Sequence, residues 1–311
     1  MRTIRIGTRG SKLALWQAHH VAEKLQAHGL ATSLQIIETK GDLILDRALS
    51  KIGSKGLFTD EIEEQLRRGT IDIAIHSAKD LQSDLGPEFR LIAFTEREQV
   101  HDVLVSLKGP VDLAYASPVL GTSSVRRTAM FRHFYPQVKT VDMRGNLQTR
   151  MRKLEEGQCD ALVLAYAGVH RMGYEAHIVA NLDKLQFIPA VGQGCIAVEA
   201  SISLNREVVQ IIRRAVNHEP TETCLLAERS FLKALQGGCS IPAFALATHI
   251  DRHTLQITGG IVSPDGGQLI RKTFESAPKL ADNLGRKLAI ETLHAGGEEI
   301  LTALKSKGKE S

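Results

Sequence analysis

Gly69-Thr70-Ile71-Asp72-Ile73-Ala74-Ile75-His76-Ser77-Ala78-Lys79-Asp80 is a short apolar run that ends in a polar cluster. Ile71 to Ile75 is β-branched and too short for a helix, so it reads as a strand. Before it come a strand at Ile4 to Ile6, a helix with apolar Leu13, Trp16, Val21 and Leu25, a strand at Leu34 to Ile37, and a helix at Asp60 to Arg68. Alternating strands and helices predict a mainly parallel sheet covered by helices, whose ligands bind beyond the carboxyl ends of the strands. Three polar clusters fall at such ends: Thr8-Arg9-Gly10-Ser11, the Gly-rich stretch from Lys51 to Phe58, and His76-Ser77-Ala78-Lys79-Asp80.

The plan recurs. Gly157-Gln158-Cys159-Asp160-Ala161-Leu162-Val163 echoes the Gly69 segment, and Val119-Leu120-Gly121-Thr122-Ser123-Ser124 echoes Ile6-Gly7-Thr8-Arg9-Gly10-Ser11. The intervals differ, so two similar architectures are expected rather than a strict repeat. A strand at Cys195 to Glu199 returns toward the first unit. A helix at Thr221 to Gln236, with Thr221 or Thr223 as N-cap, opens a third unit with strands at Ala245 to Thr248 and Leu255 to Ile261 and a helix from about Lys279 to Leu293. The expected fold class is α/β: two lobes with mainly parallel sheets and a smaller α+β C-terminal domain. Residues 1–96 and 194–215 form lobe one, 100–190 lobe two and 218–311 the third domain.

At 311 residues the chain is long for one core. A net charge of +4 is too mild to imply nucleic acid, and aromatics at 5% do not interleave with the basic loops, which argues against base stacking. Four scattered cysteines form no zinc pattern and suit a reducing cytoplasm. No apolar run is long enough to cross a bilayer. The strand at Ile4 leaves no room for a leader.

Arg126 and Arg127 follow a Gly-Thr-Ser-Ser turn that opens a helix, where backbone N–H groups favour an anion; a solvated basic helix end is the equal alternative. Arg144 and Arg150 bracket Gly145-Asn146 after a strand at Val138 to Val141, and Arg171 follows the next strand. With Arg9, these repeated basic loops predict a carboxylate-rich ligand, since guanidinium pairs carboxylate through two parallel hydrogen bonds. Asp80 is either a cleft carboxylate able to protonate a leaving amine and stabilise a cation, or a capping or ion-paired loop residue. Cys239, in Gly237-Gly238-Cys239-Ser240, is a lone thiol on a flexible loop, suited to covalent attachment. His76 is the one histidine in a functional-looking cluster, which leaves open a thiol-plus-His hydrolase or acyltransferase. Phe58 reads as core, and Cys195 as a small buried hydrophobe. The residues alone reach a two-lobed, polyanion-binding protein with an exposed thiol, either an enzyme or a non-catalytic carboxylate-binding protein.

Together the segments resemble the porphobilinogen deaminase (hydroxymethylbilane synthase) family. The matches are Thr8-Arg9-x-Ser11 with Leu13-Ala14-Leu15-Trp16-Gln17-Ala18, Lys55-Gly56-Leu57-Phe58, His76-Ser77-Ala78-Lys79-Asp80, Gly121-Thr122-Ser123-Ser124-Val125-Arg126-Arg127, Arg144-Gly145-Asn146, Ala190-Val191-Gly192-Gln193-Gly194, Ala227-Glu228-Arg229 and Gly237-Gly238-Cys239. The resemblance implies lobes like those of periplasmic binding proteins and a dipyrromethane cofactor joined to Cys239 by a thioether. It implies a cytoplasmic monomer that takes porphobilinogen, binds neither nucleic acid nor membrane, and uses no metal. Porphobilinogen would lose ammonia to give an azafulvene, and four additions and a hydrolysis would release hydroxymethylbilane. Asp80 would be catalytic. Arg9, Ser11, Ser77, Lys79, Thr122, Ser123, Ser124, Arg126, Arg127, Arg144, Gly145, Asn146, Arg150, Arg171 and Gln193 would hold cofactor and substrate. Lys51, Lys55 and Phe58 would sit on a loop covering the site, which moves Phe58 from core to site. Three departures from the family pattern stand out: Leu81-Gln82-Ser83-Asp84 after Asp80 in place of Val-Pro, Arg97-Glu98-Gln99-Val100-His101-Asp102 at the hinge, and Cys195 in place of alanine.

Overall fold

The structure, a computed structural model, describes residues 3–43, 59–114, 116–236 and 241–307. Lys51, Lys55, Phe58 and Cys239 lie outside the described residues. The first sheet contains β1 (Ile4–Thr8), β2 (Thr32–Ile36), β3 (Ile73–Ser77), β4 (Phe89–Phe94) and β10 (Ile196–Ser201), in the order β2-β1-β3-β10-β4. The second contains β5 (Asp102–Val105), β6 (Val119–Gly121), β7 (Lys139–Val141), β8 (Ala161–Ala165) and β9 (Ile178–Asn181), in the order β7-β6-β8-β5-β9. Within each sheet one strand, β10 or β5, runs antiparallel to both neighbours, and the remaining strands are parallel to one another.

Each antiparallel strand is the one that arrives from the other lobe. β5 follows β4 of the first sheet, and β10 follows β9 of the second, so the chain crosses twice and each crossing strand is inserted between the middle strand and one edge strand of the sheet it enters. The repeated motifs thus sit in matching sheet positions: β1 and β6 are followed by the Thr8 and Thr122 clusters, β3 and β8 by residues 78–80 and 166–171. A third, antiparallel sheet is formed by β11 (Ala243–His249), β12 (Leu255–Val262) and β13 (Leu269–Ser276). The helices Glu219–Ala234 and Ala281–Thr292 cover it with Leu225, Phe231, Leu284 and Leu288.

Several expectations need correction. Strand β3 lies two residues later than Ile71 to Ile75. The helix expected from Thr221 begins at Glu219 and is capped by His218, whose Nδ1 accepts from the Thr221 amide; Pro220 sits in the first turn, where its missing N–H costs nothing. Trp16 is 37% exposed, and the helix Lys12–Ala27 instead buries Gln17, Ala18, Val21, Ala22 and Leu25. Leu81 is buried, and the Arg229 guanidinium donates to the carbonyl oxygen of Gln82 at 2.7 Å, which ties the atypical loop after Asp80 to the third domain.

The crossings are fixed by Glu228, which is fully buried on the helix Glu219–Ala234. Its carboxylate accepts from Arg97 at 2.5 and 3.1 Å, from the Gly192 amide at 2.9 Å and from the Ala247 amide at 2.9 Å. One side chain of the third domain therefore holds both interlobe segments. Removing one member of a buried, fully bonded pair strands the other, so Glu228→Ala is expected to lower unfolding free energy by about 3–5 kcal/mol. Glu64→Ala, on an exposed pair with Arg68, is expected to change it by less than about 1 kcal/mol in the same urea titration.

Candidate active site

Asp80 is the third residue of a single 3-10 turn, Ala78–Asp80, directly after β3. Ala78 and Leu81 are each 2% exposed and pack into the core shared with the third domain, while Asp80 between them is exposed. The turn is braced from behind. The Ala78 amide donates to the Cys195 carbonyl, and Gly192 presses so close that an added Cβ would lie 2.9 Å from the Ala78 carbonyl carbon, at a backbone φ of +76° that itself favours glycine. The apolar residues on each side anchor the turn and aim the carboxylate into the cleft.

Asp80 lines a small cavity with Arg9, Ser11, Gln17, His76 and Ser77. Ser11 caps the helix Lys12–Ala27 by accepting from the Ala14 amide, and Gln17 donates to the Ser77 hydroxyl at 2.8 Å. From the second lobe, Arg144 and Arg150 flank the start of the helix Leu147–Glu155. Gly145 takes a φ of +111°, Asn146 caps the helix by accepting from the Thr149 amide, and Arg150 Nε donates to the Gly145 carbonyl. Burial and the nearby Arg127 bring the Arg150 guanidinium down to about 10, with Asp80 and Asp142 opposing the shift. Burial likewise brings the Lys79 ammonium down to about 8; Asp80 attracts it, and Arg127 and Arg150 repel it. Arg144 Nη1 is buried without a hydrogen-bond partner among the described residues. Crowded, partly desolvated cations with an idle donor are stabilised by an anion that enters between them.

The remaining expected residues are engaged elsewhere. Arg126 and Arg127 are 3% and 6% exposed, and both are drawn onto the fully buried Asp102, Arg126 Nη2 to Oδ2 and Arg127 Nη2 to Oδ1, each at 2.7 Å. Their Nη1 atoms donate to the carbonyls of Ile188 and Val163. Gln193 Nε2 donates to Asp102 Oδ1 at 2.8 Å and to the Val100 carbonyl at 2.7 Å. Burial alone would raise the Asp102 carboxyl, but the two guanidinium groups hold it far below the usual range. Arg126 and Gln193 are thus bonded into the hinge, and a solvated helix end does not describe the buried Arg126.

Arg171 donates to the Gly194 carbonyl at 2.8 Å and lies over the Trp16 ring at 5.4 Å, which joins the lobes beside the cleft. Thr122 Oγ1 accepts from the Ser124 amide, Ser123 Oγ from the Met143 amide, and Ser124 Oγ from the Arg127 amide, so each hydroxyl of the Gly-Thr-Ser-Ser turn is held by an amide and keeps its own hydrogen to donate. Cys195 is 2% exposed, and burial pushes its thiol up to about 12, as fits a small hydrophobe. Sequence reasoning missed Asp102 as the partner of both arginines, Glu228, and a buried contact between His76 and Glu199. Asp102 and Glu228 were visible only as members of longer motifs, with nothing to say what they touch.

Two family models match the chain: "Porphobilinogen deaminase, dipyromethane cofactor binding domain" over residues 4–208, and "Porphobilinogen deaminase, C-terminal domain" over residues 222–294. A porphobilinogen deaminase of Cytophaga hutchinsonii is 57% identical over 306 residues, covering 98% of this chain and 97% of that one. One from Desulfosudis oleivorans is 52% identical over 304 residues, covering 97% and 98%. Among solved structures, a Bordetella pertussis BvgS periplasmic VFT2 domain is a looser likeness, 18% identical with a TM-score of 0.42 over 68% of this chain and 86% of that one. Both lobes, the third domain and the cleft they frame fall within the matched residues, and the chain belongs to the porphobilinogen deaminase family.

Proposed function

We propose that the chain deaminates and polymerises four molecules of porphobilinogen head to tail on a covalently held dipyrromethane, then releases hydroxymethylbilane by hydrolysis. The observation that carries this reading is the grouping of Lys79, Arg144 and Arg150 around the exposed Asp80. Each pyrrole of the substrate bears an acetate and a propionate, and the buried, unpartnered Nη1 of Arg144 is a donor such carboxylates satisfy. The residues therefore fit the cofactor. Lys79, Arg144 and Arg150 would hold its carboxylates, with Arg9, Ser11 and Ser77 lining the same space, and Cys239 would carry the thioether. When bound, the dipyrromethane supplies the pyrrole carbon on which the chain grows.

Asp80, fixed by the buried Ala78 and Leu81, accepts hydrogen bonds from pyrrole N–H groups and stabilises positive charge as the amine departs. Arg144 and Arg150 steer the lengthening polycarboxylate, and Arg127 reinforces the cleft's positive field from behind. Arg126, Arg171, Gln193, Thr122, Ser123, Ser124, Gly145 and Asn146 act by shaping the hinge and loops. We further propose domain limits at 1–96 with 194–215, 100–190 and 218–311, and a cytoplasmic monomer. Among the described residues, no helix is long and apolar enough to cross a membrane.

Intact-mass measurement on purified protein is expected to show two added pyrrole units, absent from Cys239→Ser; an active wild-type protein of unmodified mass would refute the attachment. Asp80→Asn is expected to keep fold and adduct yet lose at least about 10²-fold in kcat, read from tetrapyrrole formation. The substrate carboxylates stay ionised across the neutral range, whereas Lys79 loses its charge as pH rises through about 8. Hence the pyrrole-free protein is expected to bind a pyrrole dicarboxylate less tightly as pH rises through about 8, and Lys79→Gln to lose that pH dependence in the same binding titration.

A further inference from the structure

A second ionisable group lines the Asp80 cavity, and nothing in the preceding account uses it. His76 lies one residue before the end of β3, opposite Ala197 of β10, so its side chain shares a sheet face with Glu199 two residues along. His76 Nε2 is 2.9 Å from Glu199 Oε2, with side-chain exposures of 6% and 0%. The contact is close but lacks hydrogen-bond alignment, and both Glu199 oxygens are buried without a hydrogen-bond partner among the described residues. That carboxylate lies where it would balance a positive charge arriving on the imidazole. The helix Asp60–Arg67 closes the other side with Glu63, whose Oε1 is also buried and unpartnered; burial first and Glu199 second push its carboxyl up.

The charged groups around His76 are therefore Glu199 on β10, Glu63 and Asp60 on that helix, Lys79 and Asp80 on the following turn, and Arg9 beyond β1. The same imidazole forms part of the cavity wall beside Asp80. A histidine on the cavity wall, with a fully buried carboxylate 2.9 Å from its Nε2, is placed to take up a proton from that space.

We infer that His76 carries the proton released at each condensation and that Glu199 is the positioning residue whose charge balances the imidazolium. This deepens the proposed activity and rests on it. The C–N bond of the substrate's protonated aminomethyl group breaks first, releasing ammonia, and the methylene carbon left behind then joins the α-carbon of the growing chain's terminal pyrrole. The C–H bond at that α-carbon then breaks, its electron pair returning to the ring, while the proton passes to neutral His76. The imidazolium, paired with Glu199, gives the proton to the departing ammonia, which leaves as ammonium. Neutral His76 is restored, and no outside acid, base or oxidant is consumed. Asp80 remains free to stabilise positive charge instead of serving as the base.

The test compares wild type, Glu199→Gln, Glu199→Asp and His76→Gln, each purified with its covalent pyrroles and checked by mass. Glu199→Gln is expected to load normally, keep KM within about threefold and lose about 10²-fold in kcat, with Glu199→Asp recovering part of the loss. Independently of the size of kcat, α-deuterated porphobilinogen is expected to show a larger isotope effect on kcat in Glu199→Gln than in wild type, because proton removal has become the slow step. His76→Gln, on the cavity wall, is expected to show the same kcat loss with partial rescue by added imidazole, and it decides the matter if Glu199→Gln fails to fold. Near-wild-type kcat in His76→Gln, or an isotope effect in Glu199→Gln no larger than that of wild type, overturns the inference. Wild-type protein that makes no tetrapyrrole from porphobilinogen would instead overturn the proposed function, so the two failures are distinct.

Discussion

The architecture depends on one buried carboxylate at the point where the chain first crosses between lobes. Asp102 opens β5, is fully buried, and is clasped by Arg126, Arg127 and Gln193. An unpaired charge there would be prohibitive, so the geometry is set by the need to satisfy it: two guanidinium groups from one helix and an amide from the second crossing segment. Asp102 and Glu228 serve complementary ends of the same hinge. Asp102 fastens the crossings to lobe two, and Glu228 fastens them to the third domain through Arg97 and the Gly192 amide. Gly192 in turn abuts Ala78, so the hinge and the Asp80 turn are mechanically one piece.

That continuity gives the cleft its chemistry. On the proposed reading the lobes supply opposite halves of the site, Asp80 and Lys79 from one, Arg144 and Arg150 from the other. Partial burial sharpens the effect, since cations held close in poor solvent are eager for carboxylates and can release them when the lobes shift.

Much of this was legible in the residues. β-branched runs ending in polar clusters gave the strands and placed Asp80, Arg144 and Arg150 at strand ends, because side-chain period and turn chemistry are local properties. The two-lobed plan was legible because the Gly69 and Gly157 segments repeat. Partnerships between distant residues were not. The pairing of Arg126 and Arg127 with Asp102, 24 and 25 residues earlier, left no local mark, because a helix-start position is the same whether the anion it meets is a ligand or a distant side chain. Trp16 fitted the apolar face of its helix by spacing, yet it is exposed, stacked on His20 and covered by Arg171 from the other lobe. β13 escaped notice because alternate positions carry Arg271, Thr273 and Glu275, which makes an edge strand look like a polar loop.

The most direct test of the central claim, that the interlobe cluster is a carboxylate receptor built around Asp80, is a crystal structure of the purified protein with its covalent pyrroles. The account predicts acetate and propionate oxygens within hydrogen-bond distance of Lys79, Arg144 and Arg150, and pyrrole N–H groups on the Asp80 carboxylate. Pyrrole carboxylates bound away from these three cations, with Asp80 facing only solvent, would contradict it.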